Sequence, residues 1–245
     1  MHRLGMAGAS LTTQKRILTL AQPLPWSYSS LEDFINCPRA YHEKRILKSV
    51  KEEDNEHTIW GTTVHKHFEL RQLHGTKLPP ELSQFEPLMQ RLDNIPGDLY
   101  AERKVALNRE LAPCDFYAKD CWWRGVIDWT KINAAEGKAR VYDYKTGKMH
   151  SKFKQLKLFA LHIFYSHPEI DEVNVKFYWT KTDMATGEIY YRRDIKKLWT
   201  EFIPDLRQYV EAFSTDVWQP RQSGLCNGWC PVTTCEFWKP KRMRR

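Results

Sequence analysis

The sequence predicts a mixed α/β protein with a central β-sheet flanked by helices. Three observations carry this. Helical spacing of apolar residues dominates the first hundred positions and returns twice later. Alternating, β-branched and aromatic runs cluster between about residues 99 and 146 and again near 173 to 191. The order is helices, three strands fit for antiparallel pairing, a helix, two strands and a helix, which suits a mixed sheet. At 245 residues and 42% apolar content the chain is long enough to bury a substantial core.

The elements follow in order. "SYSSLEDFINCPRAYHEKRIL" shows a capping box from Ser29 to Glu32 and then Leu31, Phe34 and Ile35 on one helical face; Pro38 suits the first turn of a second short helix. "TIWGTTVHKHFELRQLHG" reads as a helix ending near Gly75, and "ELSQFEPLMQRLDN" as a further helix. "LYAERKVALN", "CWWRGVIDWTKI" and "ARVYDYKTG" read as strands, the last two joined through "NAAEGK". "SKFKQLKLFALHIFYSH" carries a stripe of Phe153, Leu156, Phe159, Ala160 and Ile163. "VNVKFYWTKT" and "GEIYYRRDI" read as strands joined by "DMATGE". "KKLWTEFIPDLRQYVEAFS" reads as an amphipathic helix with a kink at Pro204. Residues 1–25 are expected to form a flexible arm, 26–215 one domain, and 216–245 a cysteine-bearing basic tail packed on it.

The formal net charge is +8 and the chain ends in "KPKRMRR", a balance that favours polyanionic partners. Ten tryptophans and eleven tyrosines offer surfaces for unpaired bases, although most belong in a core. No apolar run approaches the roughly 20 residues of a membrane span. The opening residues make a poor secretion signal, so a cytoplasmic location is expected, the host cytoplasm for a phage protein. Six cysteines in such a chain point to thiols or metal ligands over disulfides.

Within "RVYDYKTGK", Asp143 and Lys145 alternate with Tyr142 and Tyr144 and so share a side of the strand. An acid and an amine placed so are commonly an ion pair. Asp128, ending the strand "RGVIDW", offers another reading. Strands pair about 4.8 Å apart, so Asp128 and Asp143 at matching heights could converge on one hard cation, Mg²⁺ or Mn²⁺. Without a cation the two carboxylates repel, and Lys145 is placed to neutralise charge on a phosphate. Glu102 is either a further acid near that site or a plain surface charge.

"GVIDW", then "DYKTG", then "QLKLFALH" resembles the PD-(D/E)XK nuclease superfamily, in particular its RecB- and AddB-type exonucleases. The helical motif of that branch stands here as Gly61, His65 and Glu69 in "GTTVHKHFE". The resemblance implies a restriction-endonuclease-like core with an N-terminal helical wall. It implies metal ligation by His65, Asp128, Asp143 and the backbone carbonyl of Tyr144, with Lys145 catalytic. Gln155 supports the site or contacts DNA; Phe159 stands where relatives often carry a tyrosine. Glu69 shares the His65 face and could orient it, whereas His67 lies about 200° round the helix.

The four-cysteine CRISPR-associated exonucleases and AddB are similar again in holding a 4Fe-4S cluster with one leading and three trailing cysteines. Cys37, Cys226, Cys230 and Cys235 occupy those places, with trailing spacings of three and four residues in place of two and five. Zinc is the rival metal, and unmetallated thiols are a third outcome. Cys114 and Cys121 show no ligand spacing. The expected activity is metal-dependent hydrolysis of linear DNA ends in recombination, repair or replication, in a phage or other mobile element, with a helicase or recombination partner. The rival readings are a catalytically weak DNA-binding subunit of the same fold and a cysteine–metal interaction module.

Overall fold

The computed structural model describes residues 24–51 and 55–240. The expected N-terminal arm falls almost wholly outside these residues, as does the end of the basic tail. Among the described residues the chain parts into two compact units, residues 55–199 and residues 24–51 with 200–240.

The larger unit begins with helix α3 (Glu56–His74), its predecessors α1 and α2 lying in the other unit. Its ends are chemically marked. Asn55 accepts from the amides of His57 and Thr58 while the Thr58 hydroxyl takes the Asn55 amide, and Gly75 closes the helix at φ 66°. A 3₁₀ segment (Pro80–Phe85) leads into α4 (Glu86–Asp93). The sequence suggested one helix here; Pro87 in the first turn of α4 marks where the second begins.

Strands β1 (Asp98–Asn108), β2 (Cys121–Asn133), β3 (Lys138–Lys145), β4 (Glu172–Trp179) and β5 (Met184–Tyr191) form one five-stranded sheet in chain order. Only β3 and β4 pair in parallel; the other neighbours are antiparallel. A parallel pair needs a long crossover, and α5 (Lys154–Ser166) supplies it. This is a mixed sheet with flanking helices, the α/β arrangement the sequence led one to expect. The β2–β3 turn uses Asn133, whose side chain accepts from Glu136, and Gly137 at φ 64°. "MATG", expected in the β4–β5 turn, belongs to β5: a Cβ on Gly187 would meet the Val175 carbonyl oxygen at 1.9 Å, so this glycine permits close strand pairing.

The face covered by α3 and α4 is filled by Val64, Phe68, Leu82, Phe85, Met89, Trp129, Tyr144 and Tyr178. The Trp129 indole donates to Gln72 at 3.0 Å, which satisfies the polar atom such a large ring brings inside. Helix α5 buries Leu156, Phe159 and Ile163. Short α6 (Ile195–Thr200) follows β5.

In the smaller unit, α1 (Tyr28–Asn36) starts two residues earlier than expected. Ser27 and Ser30 form the capping box, and Glu32 instead accepts from Tyr28. Pro38 opens α2 (Pro38–Tyr41) as expected. Pro204 lies in the first turn of a separate helix, α7 (Ile203–Thr215), where its missing N–H is harmless; it starts a helix and does not kink one. Phe34, Tyr41, Tyr209, Phe213 and Trp218 interlock as an aromatic cluster, with the Tyr41 and Tyr209 hydroxyls 2.7 Å apart. No described helix is long and apolar enough to cross a membrane.

Candidate metal centre and active site

The site forms where β2 leaves β3. Their ladder ends at Trp129↔Tyr142. Beyond it, the Tyr144 N–H and C=O that a longer ladder would pair need partners, because buried backbone groups rarely stay unpaired. The Tyr144 N–H donates to Asp128 Oδ2 at 2.6 Å. Its carbonyl lies 3.0 Å from His65 Nε2. A carbonyl can only accept, so that nitrogen carries a proton, and a neutral His65 presents its lone pair at Nδ1.

His65 Nδ1 faces two acids, Glu102 Oε1 and Asp128 Oδ1, each at 3.4 Å. Donor atoms of His65, Glu102 and Asp128 all lie within 4.8 Å of one another. Glu102 gets there through an unusual backbone. The β1–β2 register runs through Ala101↔Trp129 and Arg103↔Ile127, omits Glu102 and Asp128, and holds Glu102 at φ 46°. A non-glycine residue in this region is strained and commonly marks a functional position.

Asp143, expected as the second acidic ligand, is 3% exposed. Its Oδ2 stands 2.6 Å from Lys145 Nζ, and its Oδ1 accepts from Gln155 Nε2 at 3.1 Å. Lys145 in turn donates to Gln155 Oε1 at 2.9 Å, closing a three-residue ring. Phe177 lies under the ammonium at 5.0 Å. Helix α5 thus delivers Gln155 from its first turn to hold both the acid and the amine.

The electrostatics follow from crowding. Burial, and then the Asp128 charge, raise the Asp143 pKa above the usual carboxylate range, while Lys145 opposes the rise. Burial pushes His65 down, yet the hydrogen bonds and charges of Asp128 and Glu102 prevail and raise it to about 10. A protonated His65 offsets the two acids. A divalent cation would do the same, and the set of one imidazole nitrogen and two carboxylates suits Mg²⁺, Mn²⁺ or a softer ion.

The remaining expected residues stand apart. Glu69 accepts from Lys66 at 2.8 Å, and His65 is oriented by Tyr144 in its place. His67 is not among the clustered donors. Phe159 is buried, and a Cβ on Gly125 would come within 3.3 Å of its ring. Gly61 brings α3 close to the end of β3, where a Cβ would sit 3.2 Å from Thr146 Oγ1. Glu102 is the residue the sequence left undecided. Its place depends on the β1–β2 register, which no local pattern encodes. In the smaller unit Cys37, Cys226, Cys230 and Cys235 line one cavity, and all six cysteines are free thiols.

The site therefore joins an acid-x-lysine strand to a histidine from a helix. The family model of the PD-(D/E)XK nuclease superfamily matches residues 25–122, about two-fifths of the chain. The match includes His65, Glu69 and Glu102 and stops short of Asp128, Asp143 and Lys145. No curated protein sequence matches the chain. Among solved structures, a Eubacterium rectale protein described as a candidate exonuclease is similar at 11% identity and TM-score 0.46, covering 93% of each chain. The protein SSO0001 is similar at 12% identity and TM-score 0.40, covering 97% of this chain and 98% of its own.

Proposed function

We propose that this protein is a metal-dependent deoxyribonuclease that hydrolyses phosphodiester bonds from free DNA ends. The observation that supports it best is the convergence of His65, Glu102 and Asp128 on one point beside the Asp143–Lys145–Gln155 ring. A divalent cation held there would supply Lewis-acid activation of water and of the phosphate. The chain's own residues set the stage. Tyr144 fixes the His65 tautomer, the Asp128 carboxylate is oriented by the Tyr144 amide, and Lys145 offers positive charge to the scissile phosphate from a position set by Gln155 and Phe177. DNA-end processing in recombination, repair or replication, alone or with a helicase, is the role this chemistry fits.

End-labelled linear and circular DNA incubated with Mg²⁺ or Mn²⁺ test the reading. Loss of label from linear DNA, spared circles, and loss of activity in Lys145→Ala and Asp143→Ala are expected. Degradation unchanged in both variants would rule the site out.

The cysteine cavity is proposed to hold a 4Fe-4S cluster. One tetrahedral zinc would draw four sulfurs to about 3.8 Å apart. Among the described residues no three cysteine sulfurs lie within 4.8 Å of one another, although four line the same cavity. Four thiolates lining one cavity are the ligand set such a cluster takes. The Arg221 and Ser223 amides point at the Cys37 and Cys226 sulfurs at 3.4 Å, contacts that tune a cluster. Anaerobically purified protein should absorb at about 400 nm, and Cys230→Ser should abolish the band. Colourless protein with stoichiometric zinc would refute it.

A further inference from the structure

Trp60, Val64 and Phe68 follow one another at four-residue spacing along a single stripe of α3. Val64 and Phe68 are fully buried, whereas Trp60 is 42% exposed and its neighbour Ile59 57%. The stripe therefore leaves the core at Trp60, and among the described residues its ring meets no other aromatic. It leaves the core beside the candidate site, because the next residue, Gly61, approaches Thr146, which directly follows Lys145. Trp60 precedes His65 by five residues, about 7.5 Å along the helix axis and about 140° round it.

The segment beyond Lys145 fixes the kind of partner. From Tyr144 to Pro168 the chain has no acidic residue and carries Lys145, Lys148, Lys152, Lys154 and Lys157. Three of these lysines are on β3 or the loop that leaves it, and Met149 in that loop is 49% exposed. A flat apolar ring beside a purely basic segment is what an unpaired nucleotide requires: a stacking surface for the base and cations for the phosphates.

We infer that Trp60 is a stacking platform for an unpaired nucleobase of the substrate strand, with the flanking phosphates held by the lysine-bearing segment after Asp143. The inference rests on the nuclease reading for the word substrate, and it assigns that site single-stranded DNA, or a frayed end, as what it grips.

The test measures binding, so it does not depend on cleavage. Fluorescence anisotropy with a labelled single-stranded oligothymidine, in chelator to prevent cutting, gives Kd for the wild type, Trp60→Ala and Trp60→Phe. The comparison strand has abasic residues throughout. Base stacking on an aromatic side chain contributes about 1–3 kcal/mol, so Trp60→Ala should weaken binding of the base-bearing strand about tenfold. Trp60→Phe should stay within about threefold, and the abasic strand should bind wild type and Trp60→Ala alike. Equal binding of the base-bearing strand by wild type and Trp60→Ala overturns the inference. So does an equal loss on the abasic strand, which would make Trp60 merely structural, and so does a wild type that binds neither strand. A wild type that binds as expected but leaves DNA intact with Mg²⁺ and Mn²⁺ ends the nuclease reading and leaves this inference standing.

Discussion

His65 Nε2 donates to the Tyr144 carbonyl at 3.0 Å, and this bond decides which face of the imidazole meets the acids. The same peptide's N–H is taken by Asp128. One residue at the end of a β-ladder thereby orients a histidine from a helix and a carboxylate from a neighbouring strand. The predictions below follow from that arrangement and from its supports.

Cation binding should release protons and tighten as pH rises. His65 is raised to about 10, so a cation taking Nδ1 must displace a proton over the whole range from about pH 6 to pH 8. The raised value also means that the metal-free protein has this stabilisation in full below about pH 6.5 and loses it as pH climbs towards 10. Titration calorimetry with Mn²⁺ in two buffers of different ionisation enthalpy reads the proton count. Affinity independent of pH with no proton release would contradict the site.

Glu102→Gly and Glu102→Ala should part company. Both lose the carboxylate, so both should lose the rise in Tm that Mn²⁺ gives the wild type. Glycine also relieves the φ 46° backbone, a strain of about 1 kcal/mol, so the metal-free Glu102→Gly protein should melt a few degrees above Glu102→Ala. Thermal melts with and without Mn²⁺ check both halves.

Gln155 holds Asp143 and Lys145 at once, so Gln155→Ala should lower kcat on DNA by about ten- to a hundredfold with little change in KM. Gln155→Glu should do worse, since it sets a second carboxylate against Asp143. Steady-state kinetics on a labelled oligonucleotide distinguish this from a change in binding.

Gly61→Ala should be nearly neutral for stability. Helix propensity favours alanine by about 1 kcal/mol, while the new Cβ presses Thr146 Oγ1 at 3.2 Å. Gly61→Val has two more carbons to fit and less helix propensity, and should lower both Tm and activity by forcing α3 away from β3. Equal Tm for the two variants would show that the approach is looser than this.

His162 should make the protein acid-sensitive. Burial, then Arg103 and His167, push it down to about 3. The unfolded chain therefore binds a proton that the folded one refuses. Stability is complete above about pH 6.5 and falls as pH drops towards 3. His162→Phe should flatten this limb in denaturant titrations at several pH values.

Legibility differed from element to element. The C-terminal end of α3 could be placed because Gly75 acts locally, and all five strands were legible from alternation. The β4–β5 turn was misplaced because Gly187 looks like a turn residue, while its real constraint is a carbonyl on the facing strand. The Ser29–Glu32 box lost to Ser27–Ser30, an equally good local pattern two residues earlier. At the site, Asp143 and Lys145 could be read as neighbours from strand parity alone.

The sequence alone determined the α/β order of elements, the acid-x-lysine strand and the histidine helix, because periodicity, caps and strand parity act over a few residues. Tertiary structure decided that Glu102 joins His65 and Asp128, that Asp143 turns to Lys145 and Gln155, and that Tyr144 orients the histidine. Those outcomes depend on where two ladders break and which helix end reaches the break. Such contacts join residues tens of positions apart, and only the packed chain specifies them.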